Sequence, residues 1–281
     1  MMELPEMTMT IEAVQTESAG LANFLKGLDA DDWLKVSACP EWQVGDIVAH
    51  LAQGGHSWIE YIGRALAGNT TPPPGQQSLR PGDRGSEATA QRAIEQHQSQ
   101  SKQELLDSYN SGYDQLYQLM LELKPEDWEL PCFHRRALSS IHEMVARRVQ
   151  ELAIHGWDIR STFDSSYQLS EPAIGVIVGL AHRWFTSTFS PQADANTPVR
   201  YRFDMSGPAP VLEDVVVYQD RFELEASSSG PAEVTFRGSG NDYLLLIYGR
   251  LSVRGADNNS NLEIDGSLEQ AALFNTWFRG V

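Results

Sequence analysis

The spacing of apolar residues changes once along this chain, and that change limits the possible folds more than any other feature of the sequence. Up to about Phe189 apolar side chains recur every three or four residues. From Val199 they alternate, as in Tyr201-Arg202-Phe203-Asp204-Met205 and Arg221-Phe222-Glu223-Leu224-Glu225. The first period specifies helices with one buried stripe and the second specifies strands with one buried face. Helices followed by strands argue for an α+β multidomain chain. We expect a helical domain over residues 1–190 and a small α+β domain over 191–281, and 281 residues suffice for two such cores.

Within the first part the pattern predicts helices over Thr10–Leu28, Val44–Ala67, Ser86–Leu123 and Ser139–Phe163, with Ser139 as N-cap of the last, then a linking helix over Ser170–Phe189. Four long helices with a site between facing pairs is a known bundle architecture. In the second part, strands are expected at Tyr201–Met205, Val215–Tyr218, Arg221–Glu225, Glu233–Phe236 and Asn261–Ile264, with helices at Asn241–Tyr248 and Leu268–Phe278.

The helix after Ser139 carries the chemistry. At about 100° per residue, Ile141, Met144, Val145, Leu152, Ile159 and Phe163 share one arc, and Arg148, Glu151 and His155 lie on or beside it. Glu151 and His155 are four apart, one above the other, and can grip one ion. Charged groups at an apolar face need a partner, and a divalent cation or a bound anion would serve. An internal Arg148–Glu151 ion pair with a satisfied core His155 is the competing reading. A third ligand should come from another helix. His50 lies at the edge of the face marked by Ile47, Leu51, Trp58 and Ile62, and Gly54, one turn on, leaves space there. His142 points away from Glu151 and His56 away from His50, so neither is expected to join them.

Cys39-Pro40-Glu41-Trp42 followed by Val44-Gly45-Asp46-Ile47-Val48-Ala49-His50-Leu51 resembles the opening of the mycothiol-dependent maleylpyruvate isomerase family, which belongs to the DinB-like four-helix metalloproteins. Glu151-Leu152-Ala153-Ile154-His155-Gly156-Trp157-Asp158 resembles the family's second metal motif. Asn241-Asp242-Tyr243-Leu244-Leu245-Leu246-Ile247-Tyr248-Gly249-Arg250 resembles the signature of its C-terminal domain. The resemblance implies a DinB-like four-helix bundle followed by a sterol-carrier-like α+β domain, with His50, Glu151 and His155 as metal ligands. Where the family usually has Gly and Thr or Ser, this chain has Glu41 and Gln43, so a helix-capping hydroxyl is missing. The stretch from Pro72 to Gly85 does not align with the family by eye, and it leaves substrate identity open.

Two imidazoles and one carboxylate leave a tetrahedral zinc with an open position, the pattern of a catalytic site; the same set can hold iron(II). A low-molecular-weight thiol such as mycothiol would bind there as its thiolate. In the reaction that the resemblance implies, the thiolate adds to the double bond of maleylpyruvate, the adduct rotates, and elimination releases fumarylpyruvate. Arg148 and Arg250 are the candidates for pairing with substrate carboxylates and steadying the developing enolate. Two other readings stay open. One is a thiol transferase that keeps the adduct; the other is a small-ligand-binding protein whose metal is structural.

Composition narrows the partners. The formal charge of −17 divides into −11 for residues 1–190 and −6 for 191–281, so neither part has the basic footprint of a nucleic-acid binder. An anionic or electrophilic small substrate would need local arginines against that field. Two cysteines, Cys39 and Cys132, are too few for a disulfide framework, and Cys39 is expected to pack rather than react. With no long apolar run, no membrane partner is expected and the default compartment is the cytoplasm; a monomer is expected because the second domain would cover the bundle face that could otherwise pair.

Overall fold

The computed structural model describes residues 4–78, 86–192, 198–227, 230–253 and 261–280. It is mixed helix and sheet, and it divides into two compact units, Met1–Tyr167 and Gln168–Val281. The boundary expected at residue 190 therefore falls earlier. The reason is packing: helices α7 (Glu171–Val178) and α8 (Ala181–Thr188) both lie against α9 (Gly240–Ile247), which follows the fourth strand of the sheet. A break at Gly179-Leu180 replaces the single linking helix.

In the first unit, four long helices form the bundle: α1 (Leu4–Gly27), α3 (Val44–Leu66), α5 (Lys102–Glu122) and α6 (Ile141–Arg160). α3 packs on α5 and α6, and α1 on α5 and α6. A short α2 (Ala30–Trp33) precedes α3, and α4 (Ser86–Ser99) packs along α3. The expected helix over Ser86–Leu123 is thus two helices. Ser101 ends the first and caps the second, its hydroxyl accepting from the Glu104 N–H (3.3 Å) while Glu104 accepts from the Ser101 N–H (2.7 Å). That reciprocal box satisfies two helix-end donors and fixes the break. α6 starts one residue later than expected. Ser139 pairs with Cys132 in a two-residue ladder, β1 (Pro131–Cys132) with β2 (Ser139–Ser140), and Ser140 caps the helix by the same box with Glu143.

Most of each arc assigned from spacing is buried: Ile141, Met144, Val145, Leu152 and Ile159 of α6 and Ile47, Leu51 and Ile62 of α3, while Trp58 and Phe163, the latter past the end of α6, are half-buried. Gln43, at the N-cap of α3, makes no side-chain cap bond, as expected from its lost hydroxyl; Asp46 instead accepts from the Gln43 N–H at 2.8 Å. Residues 72–78 of the proline-rich loop are described and 79–85 lie outside the described residues.

The second unit holds a five-stranded sheet in the order β5-β4-β3-β6-β7, from β3 (Val199–Ser206), β4 (Val211–Val217), β5 (Phe222–Ala226), β6 (Val234–Ser239) and β7 (Glu263–Gly266). β3 and β6 are parallel and the other pairs antiparallel. Val199, Tyr201, Phe203 and Met205 of β3 face the core, where Phe236 stacks on Phe203, Phe274 from α10 (Leu268–Trp277) meets it edge to face, and Phe185 packs tilted against it. α9 is buried along its whole length, which explains its near-continuous apolar run. No helix among the described residues is long and apolar enough to cross a membrane.

Candidate metal centre

A tight loop delivers one wall of the site before α3 begins. Ser37 closes it: its N–H and its hydroxyl both donate to the Trp42 carbonyl, at 2.8 Å each, and its hydroxyl accepts from the Cys39 N–H at 3.1 Å. Glu41 stands at φ 70, where a side chain is strained and glycine is not. The backbone at this position therefore favours glycine.

From this loop Trp42 reaches between two histidines. Its indole lies 5.2 Å from the His50 ring and 5.8 Å from the His155 ring, nearly parallel to the latter at 19°. The two imidazoles are 5.1 Å apart and almost perpendicular. His50 comes from α3, and Glu151 and His155 come from α6, so the bundle brings the three expected ligands together. The His50 Nε2 is 2.9 Å from the Glu151 Oε2, and the His155 Nε2 is 3.8 Å from the same oxygen.

Arg148 completes the cluster from below. Its side chain is 1% exposed, against 30% for the Glu151 side chain. A Cβ on Gly54 would strike the guanidinium, lying 2.9 Å from its Cζ, which is the space expected at that glycine. The cation rests over Trp58 at 5.0 Å. Its separation from Glu151 is 3.7 Å, too long for a hydrogen bond, and its Nε and Nη2 have no hydrogen-bond partner among the described residues. The internal Arg148–Glu151 ion pair of the competing reading is present at 3.7 Å, but the short partner of Glu151 is His50.

Electrostatics prepare the ligand groups. Burial pushes the Glu151 carboxyl up, but the hydrogen bond from His50 and the charges of His50, Arg148 and His155 outweigh it and hold the group well below the usual carboxylate range. Burial, partly opposed by Glu151, holds His50 below the ordinary histidine value and favours the neutral ring that a metal needs. Ligand atoms about 2.0–2.2 Å from a tetrahedral zinc stand roughly 3.4 Å apart. The observed 2.9 and 3.8 Å bracket that value, so small side-chain rotations would seat an ion. The donor set and spacing therefore fit a divalent metal.

Three residues join the site that the spacing argument did not assign. Asp158, fully buried one turn beyond His155, lies 2.9 Å from the His155 Nδ1. Cys39, His155 and Asp158 make a second group of possible ligand atoms within 4.8 Å of one another. Trp42 is the third. Asp158 was readable as the i+3 neighbour of His155; Cys39 and Trp42 depend on the loop. His56 faces Ser108 at 3.4 Å, and His142 faces Glu6 and Trp128, both away from the cluster as expected. Arg250 belongs to the second unit, where its Nη1 donates to the Tyr248 carbonyl at 2.9 Å.

Residues 14–160 match a family model described as the mycothiol maleylpyruvate isomerase N-terminal domain, more than half of the chain. Among solved structures, a crystal structure of the mycothiol-dependent maleylpyruvate isomerase aligns over 92% of this chain and 92% of its own, with a TM-score of 0.63 and 13% identity. The crystal structure of a histidine-to-alanine mutant of such an isomerase aligns over 87% of this chain and 90% of its own, with a TM-score of 0.61 and 14% identity. At these identities the likeness is one of fold. No curated protein matches the chain in sequence.

Proposed function

Since the chain belongs to the mycothiol maleylpyruvate isomerase N-terminal domain family, we propose that it is a metal- and thiol-dependent enzyme that isomerises a cis double bond in a small anionic substrate. The observation that carries this reading is the convergence of the His50 and His155 Nε2 atoms and the Glu151 carboxylate at one partly exposed spot between α3 and α6. These three residues would hold the metal, most simply zinc. When bound, zinc supplies a lowered thiol pKa and hence a nucleophile that adds to the double bond and later leaves, with mycothiol as the candidate thiol.

The protein's own groups have distinct tasks. Glu151, kept ionised, would offset the cation's charge, and three protein ligands would leave a fourth position for the thiol. Trp42 walls the histidines off from solvent on one side and keeps their rings in place. Arg148 is a buried cation beside Glu151 with unused donors. It is suited to meet a substrate carboxylate and to stabilise negative charge that develops during addition.

The test is a thiol titration of the cobalt-substituted protein, followed by incubation with maleylpyruvate and mycothiol. A thiolate-to-cobalt charge-transfer band and catalytic release of the trans product support the reading. A stable thiol adduct would make the protein a transferase. Metal binding with no response to thiol would make the metal structural and leave a ligand-binding role.

A further inference from the structure

The two histidines at the centre are supported unequally. The His50 Nδ1 is buried with no hydrogen-bond partner among the described residues. The His155 Nδ1 faces the Asp158 Oδ2 at 2.9 Å, and Asp158 is fully buried. A buried carboxylate is costly unless it accepts hydrogen bonds, and this contact supplies one to Asp158. An imidazole that donates from Nδ1 leaves its lone pair on Nε2, the atom turned toward Glu151.

We propose that Asp158 is a positioning residue for His155: its carboxylate takes the Nδ1–H, fixes the tautomer and the rotation of the ring, and so presents Nε2 to a divalent metal. The inference rests on the metal reading above and adds a residue to it. The support is built into the fold. Asp158 sits one helical turn from His155 on α6, and its own carbonyl accepts from the Ala38 N–H at 3.1 Å and the Thr162 hydroxyl at 3.0 Å. The turn that bears the carboxylate is thereby tied to the loop that bears Trp42. Trp42 stacks on the His155 ring and sets its plane, while Asp158 sets the direction within that plane. A carboxylate behind a ligating histidine also raises the basicity of the ligating nitrogen.

Cys39 offers a rival arrangement, because Cys39, His155 and Asp158 could themselves surround an ion. Exposure argues against it. Asp158 has none, whereas the Glu151 side chain is 30% exposed, nearer the solvent from which a thiol would arrive.

Two measurements test the assignment. Long-range proton–nitrogen correlation spectra of the metal-free wild-type protein should place the His155 proton on Nδ1; a proton on Nε2 would overturn it without any variant. Zinc competition against a chromophoric chelator should then give one zinc per wild-type chain and an affinity about 10- to 100-fold lower in Asp158→Asn. Equal affinity in a folded Asp158→Asn protein rejects the positioning role and leaves the metal reading intact. Two zinc ions per chain, one of them lost in Cys39→Ala, would make Asp158 a ligand instead. A wild-type protein that binds no zinc rejects the metal reading and this inference together.

Discussion

Two buried carboxylate clusters, one in each unit, use arginine in opposite ways. Asp214 on β4 is fully buried, and the cluster around it is closed: Arg202 holds it with two bonds of 2.8 Å, Arg200 adds one of 2.9 Å, and Arg200 also bridges to Glu225 at 2.7 Å. Glu151 on α6 is 30% exposed, its arginine stands off at 3.7 Å with unused donors, and its one short partner is a histidine. The first cluster satisfies itself and clamps strands β3, β4 and β5. The second is left incomplete at a buried edge of the bundle. Buried charge marks both places; the donors left over separate a clamp from a site.

The largest way to break this contrast is at the clamp. Asp214→Ala should cost about 3 kcal/mol in urea unfolding, because it strands two arginines that are only partly exposed, and it should leave zinc affinity unchanged. The reverse pattern is expected at the site. His50→Ala should lower zinc affinity by more than about 100-fold, or about 2.7 kcal/mol, while the metal-free protein unfolds within about 1 kcal/mol of wild type. Arg148→Met should keep the metal and lose about 100-fold in kcat/KM with an anionic substrate; full activity would remove Arg148 from substrate binding.

Acid should resolve the two clusters in sequence. The Asp214 carboxyl, raised by burial but held lower overall by Arg202 and Arg200, contributes stability above its unfolded pKa that is lost as pH falls through its lower folded value, so the clamp weakens only below about pH 4. His50 is held below the ordinary histidine value, so the unfolded chain takes up its proton first. Metal-free stability should therefore begin to fall already below about pH 6.5, by at most about 1.4 kcal/mol per pH unit for this one group. His50→Gln should shrink that upper step in the pH profile of unfolding and leave the lower one, the rest of the upper step coming from His134, which burial pushes down to about 4. The smallest expected effect is at the loop. Glu41→Gly should stabilise the first unit by up to about 1 kcal/mol by removing the strain at φ 70.

The period change near residue 199 was enough to separate helices from strands, because burial on one face leaves a direct trace in spacing. It could not say which partner α7 and α8 would choose, and their packing on α9 moved the boundary to Tyr167. The break at Ser101 was written in the sequence as Ser101 followed by Glu104, but apolar spacing running through the gap concealed it. At the site, Glu151 and His155 were legible because four residues make one helical turn, and His50 because it lay at the edge of a buried face. Asp158 stood in the same motif without an assigned task, since a carboxylate behind a ligand and one on a surface have the same spacing. Trp42 and Cys39 needed the hydrogen bonds of Ser37 to bring the loop onto α6, and no periodicity carries that information.

The most direct measurement is an anomalous diffraction map at the zinc edge from crystals grown with zinc. The account predicts one peak per chain, about 2.0–2.2 Å from the His50 Nε2, the His155 Nε2 and a Glu151 oxygen. No peak there, or a peak among Cys39, His155 and Asp158 instead, would contradict it.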